Sequence, residues 1–133
     1  MRLSFSRRTD LALAALRELW KAPDHRLSRA ELAERVGATP GFLAQVMPFL
    51  VAEGWVVSDR GPGGGYRLTP RAFDARVFDV YEAMEGRSSG CRCVLRDGPC
   101  PETGCELHAV WVEARQVLID GLREMPVLQG ENT

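Results

Sequence analysis

The sequence predicts a mainly α-helical chain that carries one small β-hairpin and ends in a long helix. Three observations predict it. Two short runs with helical apolar spacing meet at Gly37, and two β-prone runs flank Gly61-Pro62-Gly63-Gly64-Gly65. An apolar stripe then recurs every three or four residues from about Glu106 to Met125. The 133 residues suit one domain plus an extension. The expected division is a head over 1–86, a cysteine-rich loop over 87–105, a helix over 106–126 and a short polar tail over 127–133. No apolar run approaches the roughly 18–20 residues of a membrane span. The opening MRLSFSRRTD has no apolar core of a signal peptide, so the expected location is the cytoplasm, with no membrane partner.

From about Ser6 to Ala22, Leu13, Leu16, Leu19 and Trp20 share a helical face, with Ala12 and Ala15 beside them, until Pro23 ends the run. Ser28-Arg29-Ala30-Glu31 reads as a capping box, in which the Ser hydroxyl and the Glu carboxylate satisfy each other's backbone amides. Leu32, Ala33 and Val36 then form the inner face of a short helix that Gly37 stops. Thr39 as N-cap and Pro40 at the first helical position start the next helix, with Leu43, Val46, Met47 and Leu50 turned inward and an end near Gly54. Pro48 inside this helix removes one backbone hydrogen bond and is expected to kink or loosen it, at a cost of roughly 3 kcal/mol. Another amphipathic helix runs from about Asp74 to Glu85, with Val77, Val80, Tyr81 and Met84 on one face and Gly86 closing it.

Two short helices about a tight turn, followed directly by a hairpin of Trp55-Val56-Val57 and Tyr66-Arg67-Leu68, outline a winged helix-turn-helix. A phosphate-binding loop is the other reading of the glycine run, but it lacks the G-K-[ST] ending and no helix follows it. A net charge of −1 argues against a strongly basic nucleic-acid binder until the chain is divided. Residues 1–70 carry +3 and residues 71–133 carry −4, so the basic half is the one with the winged outline. The second short helix has no Lys or Arg from Thr39 to Gly54. Base contacts to double-stranded DNA would fall to Thr39, Gln45 and the backbone at Gly41, with Gln suited to adenine. Phosphate contacts would come from Arg7, Arg8, Arg29, Arg35, Arg60 and Arg67, with Gly63 and Gly64 at the wing tip.

A final helix of roughly 20 residues would be about 30 Å long, more than a small head covers. Its stripe of Leu107, Val110, Trp111, Ala114, Val117, Leu118 and Leu122 needs a partner, and a second copy of the chain is the simplest one. The expected dimer interface is Val110, Trp111, Ala114, Val117, Leu118 and Leu122. The alternative is a helix folded back on its own domain.

All four cysteines fall in CRCVLRDGPCPETGCELHAVW, spaced Cys91-x-Cys93-x6-Cys100-x4-Cys105-x2-His108. Clustered cysteines in a reducing compartment favour a metal or redox site over a disulfide framework. Thiolates with an occasional nitrogen or oxygen suit an iron–sulfur cluster, while zinc takes the same Cys/His set in a tetrahedron. A metal-free thiol switch is the third possibility. No C-x-x-C is present and no nucleophile–base–orienter set is found, so an enzyme is not expected.

Two stretches carry a more specific likeness. The wing, Ser58-Asp59-Arg60-Gly61-Pro62-Gly63-Gly64-Gly65-Tyr66-Arg67-Leu68, is close to S-x-R-G-x-x-G-G-Y-x-L. The cysteine run ends in Cys105-Glu106-Leu107-His108-Ala109-Val110-Trp111, close to C-x-L-H-x-x-W. Together these resemble the Rrf-two family of bacterial transcription regulators, over about residues 3–125. The resemblance implies a homodimer with a winged-helix head on each chain and crossed long helices. It also implies an iron–sulfur cluster, 4Fe–4S or 2Fe–2S, held by Cys93, Cys100 and Cys105. The fourth ligand it implies is His108 in IscR-like members or, in NsrR-like members, an aspartate of the other subunit, matched by Asp10 within Thr9-Asp10-Leu11-Ala12-Leu13. The longer match favours Asp10. Cys91 is an extra cysteine that is able to replace Cys93. The expected function is therefore a homodimeric DNA-binding regulator of two-fold symmetric sites that senses nitric oxide or redox and iron–sulfur status. The alternative is a zinc-bound or metal-free DNA-binding regulator.

Overall fold

The computed structural model describes residues 5–86 and 105–129 of the chain. The first helix, α1 (Arg7–Lys21), is capped by Ser6, whose side chain accepts the Thr9 amide, and it ends before Pro23 as its apolar spacing predicts. Leu11, Ala12, Leu13, Ala15, Leu16 and Leu19 are buried along it. A 3₁₀ turn over Pro23–His25 leads into a short strand, β1 (Arg26–Ser28).

The predicted capping box is present. Ser28 accepts the Glu31 amide at 3.1 Å and the Glu31 carboxylate accepts the Ser28 amide at 3.0 Å, opening α2 (Arg29–Val36). Gly37 closes α2 in the left-handed region at φ 68°, which is accessible to glycine without the clash a Cβ brings. Thr39 caps α3 (Pro40–Ala52) by accepting the Phe42 amide at 3.1 Å. Leu43, Val46, Met47 and Leu50 are its buried residues, the four predicted.

α3 runs through Pro48, the residue expected to kink or loosen it, and continues to Ala52. The ring deprives the Ala44 carbonyl of its helical donor, but Ala44 and Pro48 both lie on the exposed side of the helix. Solvent can reach the orphaned carbonyl there, which lowers the cost of the lost bond.

The hairpin pairs β2 (Val56–Asp59) with β3 (Gly65–Leu68) in antiparallel register, Asp59 opposite Gly65 and Val56 opposite Leu68. β1 adds to the other side of β3, so the sheet has three strands in the order β1-β3-β2, one more than the sequence predicts. A 3₁₀ turn over Pro70–Asp74 precedes α4 (Val77–Glu85), which therefore starts three residues later than expected. The long helix is α5 (His108–Glu124).

One core joins these elements. Leu16 and Leu19 of α1, Leu32 of α2, Leu43, Val46, Met47 and Leu50 of α3, Val56 of β2 and Val77 and Val80 of α4 all lie in it, and each is under 2 % exposed. Val127, the first residue of the short polar stretch after Pro126, joins them with no exposure at all. Its amide donates to the Ala75 carbonyl at 3.0 Å, and its carbonyl accepts from Arg17 Nε at 3.2 Å. The Val77 amide donates to the Met125 carbonyl at 2.9 Å. The end of α5 is thereby pinned to the start of α4 and to the side of α1. No helix among the described residues is long and apolar enough to cross a membrane.

Candidate functional site

The outward side of α3 is built by what its inward side excludes. With Leu43, Val46, Met47 and Leu50 in the core, helical spacing turns Gly41, Gln45 and Pro48 outward, and these and Thr39 are exposed. Thr39 has its hydroxyl engaged in the cap, whereas the Gln45 side chain has both amide groups available to a base edge.

The positive charge absent from α3 arrives from α1. The Arg7 guanidinium lies 5.7 Å from the Phe42 ring centre, and that of Arg8 lies 4.8 Å from the ring of Phe49. Capping by Ser6 fixes the start of α1, so two consecutive residues of its first turn reach along the neighbouring helix. A groove between α1 and the α2–α3 turn is lined by Arg7, Arg8, Asp10, Leu11, Gly37, Thr39 and Phe42 among others, and Asp10 stands exposed in it.

The wing is braced on the opposite side. Arg26 of β1 donates to the Gly63 carbonyl at 2.7 Å and pairs with Asp59 at 3.6 Å, tying the tip to the third strand. The tip folds tightly: the Gly64 amide donates to the Gly61 carbonyl at 2.8 Å, and a Cβ at Gly64 would strike Asp59 O. A Cβ at Gly65 would strike Leu27 O and sit 2.7 Å from Ser28 Cα, so close pairing with β1 requires glycine there. Arg60 and Arg67 are exposed, Arg67 facing outward from the middle of the sheet, and Arg29 at the start of α2 lies over the Tyr66 ring at 5.7 Å. Every residue predicted to meet DNA is thus at least partly accessible to solvent. Gly63 offers its backbone at the tip, whereas Gly64 is half-buried and its role there is to shape the turn.

At the other end of the molecule, Cys105 and His108 occupy one turn at the start of α5, where the His108 amide donates to the Cys105 carbonyl at 3.0 Å. A thiolate and an imidazole are donors that iron and zinc both accept. One turn on, the indole Nε1 of Trp111 is buried and has no hydrogen-bond partner among the described residues, although such a group normally finds an acceptor. An orphaned donor one turn from a thiol and an imidazole is compatible with a bound sulfur-rich centre, and the described residues fit such a group in that respect. Cys91, Cys93 and Cys100 lie outside the described residues. Among those described, no group of three or more His, Cys, Asp and Glu side chains is arranged to hold a metal ion.

The apolar stripe of α5 divides in two. Ile119 is buried and Leu122 packs partly against the core, while Arg123 lies over the Phe78 ring of α4 at 4.7 Å. Of the residues expected between two copies, Leu122 therefore serves its own chain in large part, and Trp111 is half-buried. Val110, Ala114, Val117 and Leu118 stay exposed, Val110 at 67 % and Val117 at 69 %. Together with Leu107, Gly121 and Met125 they form a separate face on the 3-4 spacing. The helix folds back and offers a second surface at once, because its two apolar stripes lie on different sides.

The sequence pattern of the family Rrf2, described as "Iron-dependent Transcriptional regulator", matches residues 5–129. The chain belongs to the Rrf2 family. Among its Rrf2 relatives, the HTH-type transcriptional regulator IscR of Vibrio vulnificus is 31 % identical over 96 residues, covering 72 % of this chain and 57 % of the relative. IscR of Vibrio atlanticus is 37 % identical over 82 residues, 62 % of this chain and 47 % of that protein. The chain thus spans only about half the length of these curated relatives. Solved structures confirm the fold. CymR, the global cysteine regulator of B. subtilis, superposes with a TM-score of 0.74 at 22 % identity, covering 95 % of this chain and 94 % of that one. T. potens IscR gives 0.67 at 24 % identity, covering 94 % and 83 %.

Sequence reasoning missed four contributors. Arg26 escaped because its strand is three residues long with one buried apolar position, too little for a period to register. Phe42 and Phe49 carry no signal for an arginine so far back along the chain; only packing sets Arg7 and Arg8 beside them. Val127 sits in a stretch too short to show any pattern.

Proposed function

We propose that this chain is a homodimeric, sequence-specific DNA-binding transcription regulator that carries an iron–sulfur centre and reports nitric oxide or redox and iron–sulfur status. The observation that carries the DNA-binding part is the joint surface of α3, the start of α1 and the wing. It presents Gln45 for base edges and Arg7, Arg8, Arg29, Arg60 and Arg67 for phosphates. Two copies joined through the exposed α5 face would read a two-fold symmetric operator, with half-sites about 34–36 Å apart.

Cys105, with Cys93 and Cys100 and either His108 or the partner's equivalent of Asp10, would hold the cluster, with Cys91 in reserve. When bound, such a centre supplies redox activity and reactivity towards nitric oxide. This chain's own residues supply the route to the head. Glu85, one residue before Gly86 and the cysteine segment, accepts the Ser6 amide at 3.0 Å and the hydroxyl of the fully buried Thr9 at 3.1 Å. Ser6 and Thr9 bracket Arg7 and Arg8. A change at the root of the cysteine segment therefore bears directly on the first turn of α1 and on the two arginines beside α3.

The test is anaerobic purification with an absorption spectrum, iron, sulfide and zinc analysis, and DNA binding before and after nitric oxide. A brown protein that bleaches with nitric oxide and changes its DNA affinity is expected. Loss of cluster in Asp10→Ala, or instead in His108→Ala, assigns the fourth ligand. A colourless protein without iron that cannot be reconstituted overturns the cluster reading. A zinc-bound form or a metal-free thiol switch would then operate the same DNA-binding head through the four cysteines.

A further inference from the structure

A recognition helix without a cation is an electrostatic problem, because phosphate neutralisation supplies most of the sequence-independent affinity for DNA. From Thr39 to Gly54 there is no Lys or Arg, yet two aromatic rings sit on the flank of α3 next to its outward face. Phe42 and Phe49 are seven residues apart, two helical turns or about 10.5 Å of rise, with Gln45 between them on the same side. Phe49 is 40 % exposed, an unusual cost for a ring in the middle of a helix unless its face has another use.

Each ring faces an arginine of α1. Arg8 lies 4.8 Å above the Phe49 ring and Arg7 lies 5.7 Å from that of Phe42. Consecutive side chains of α1 thus splay in opposite directions along α3. Neither guanidinium has a carboxylate partner within 4 Å among the described residues, so their charge is not cancelled locally. A ring face attracts a guanidinium without consuming its five N–H donors, which leaves the fork available to a phosphate. It also restricts a long side chain that would otherwise lose its rotamer freedom only on binding.

We propose that Phe42 and Phe49 are positioning residues of the recognition surface: their rings hold Arg7 and Arg8 along α3 as two phosphate-directed cations, supplying from α1 the charge that α3 lacks. The recognition unit is then a composite of two helices. The separation of the rings is comparable to the roughly 12 Å width of the major groove the helix would enter. The inference rests on the DNA-binding reading above.

The experiment measures binding of the full chain to a fluorescent random-sequence duplex of about 30 base pairs across a salt series. The proteins are the unaltered chain, Arg8→Ala, Phe49→Leu, Phe49→Tyr and the double variant Arg8→Ala with Phe49→Leu. Arg8→Ala should reduce the slope of log K against log salt by about 0.9 per head, which at 0.15 M salt is about fivefold in affinity per head. Phe49→Leu should reduce the same slope in the same direction, the double variant should bind no worse than Arg8→Ala, and Phe49→Tyr should restore the slope. Circular dichroism melting checks that each variant is folded, and Arg7→Ala with Phe42→Leu repeats the cycle at an independent pair. If Phe49→Leu keeps the full slope, or its effect simply adds to that of Arg8→Ala, the rings do not position the cations and the proposal falls while DNA binding stands. If the unaltered chain shows no salt-dependent binding, the DNA-binding reading itself falls.

Discussion

Val117 is the sharpest probe of how two copies would meet. It is 69 % exposed in the single chain, at the centre of the α5 face that runs from Leu107 to Met125. Fully burying a valine contributes at least about 1.5 kcal/mol, so covering the exposed fraction contributes about 1 kcal/mol per copy. Two-fold symmetry counts each substitution twice. Val117→Ser should therefore weaken the dimer by about 2 kcal/mol, roughly 30-fold in dissociation constant. Sedimentation equilibrium over a concentration series measures this directly, and the melting curve of the variant should be unchanged at concentrations where both proteins are monomeric. The control is Gln116→Ser, also exposed on α5 but turned away from the apolar face by helical spacing. Binding to a two-half-site duplex should weaken with the dimer, while binding to a single half-site should not. A Val117→Ser protein that dimerises as tightly as the unaltered chain would refute the assignment of this face, as would an equal effect from Gln116→Ser.

Three further outcomes are expected. Ser28→Ala removes the acceptor for the Glu31 amide and should lower stability by about 1 kcal/mol, read as a shift in urea midpoint at constant slope. Gly65→Ala drives a Cβ into Leu27 O and should cost about 1–3 kcal/mol while separating β1 from β3; a midpoint unchanged within error would show that the strands can part freely. Glu85→Gln weakens the charged link to Ser6 and Thr9, so DNA affinities measured before and after nitric oxide treatment should draw together. Affinities that remain as far apart as in the unaltered chain would remove Glu85 from the signalling route.

The sequence by itself determined every part of the head that is written in neighbouring residues. The Ser28–Glu31 capping box, the Gly37 stop, the Thr39–Pro40 start and the four inward residues of α3 depend on hydrogen bonds and helical spacing within a few positions. They were legible for that reason. So was the wing tip, because Gly64 answers to a turn that the surrounding glycines announce, whereas Gly65 answers to β1. The family likeness in the wing and in Cys105 to Trp111 drew on the same local strings. Pro48 shows the limit of a local rule: its cost depends on whether water reaches the Ala44 carbonyl, and burial decides that.

Only tertiary structure decided what lies across the chain from what. It added β1 to the sheet through Arg26, drew Val127 into the core beside Ala75 and Arg17, and divided the α5 stripe between Ile119 on one side and Val117 on the other. It brought Glu85 to Ser6, and Arg7 and Arg8 to Phe42 and Phe49. Each of these pairs is separated by tens of residues, and no period or motif links its members. Their meeting follows from how apolar faces pack around a single core, which is a property of the whole chain and of no segment in it.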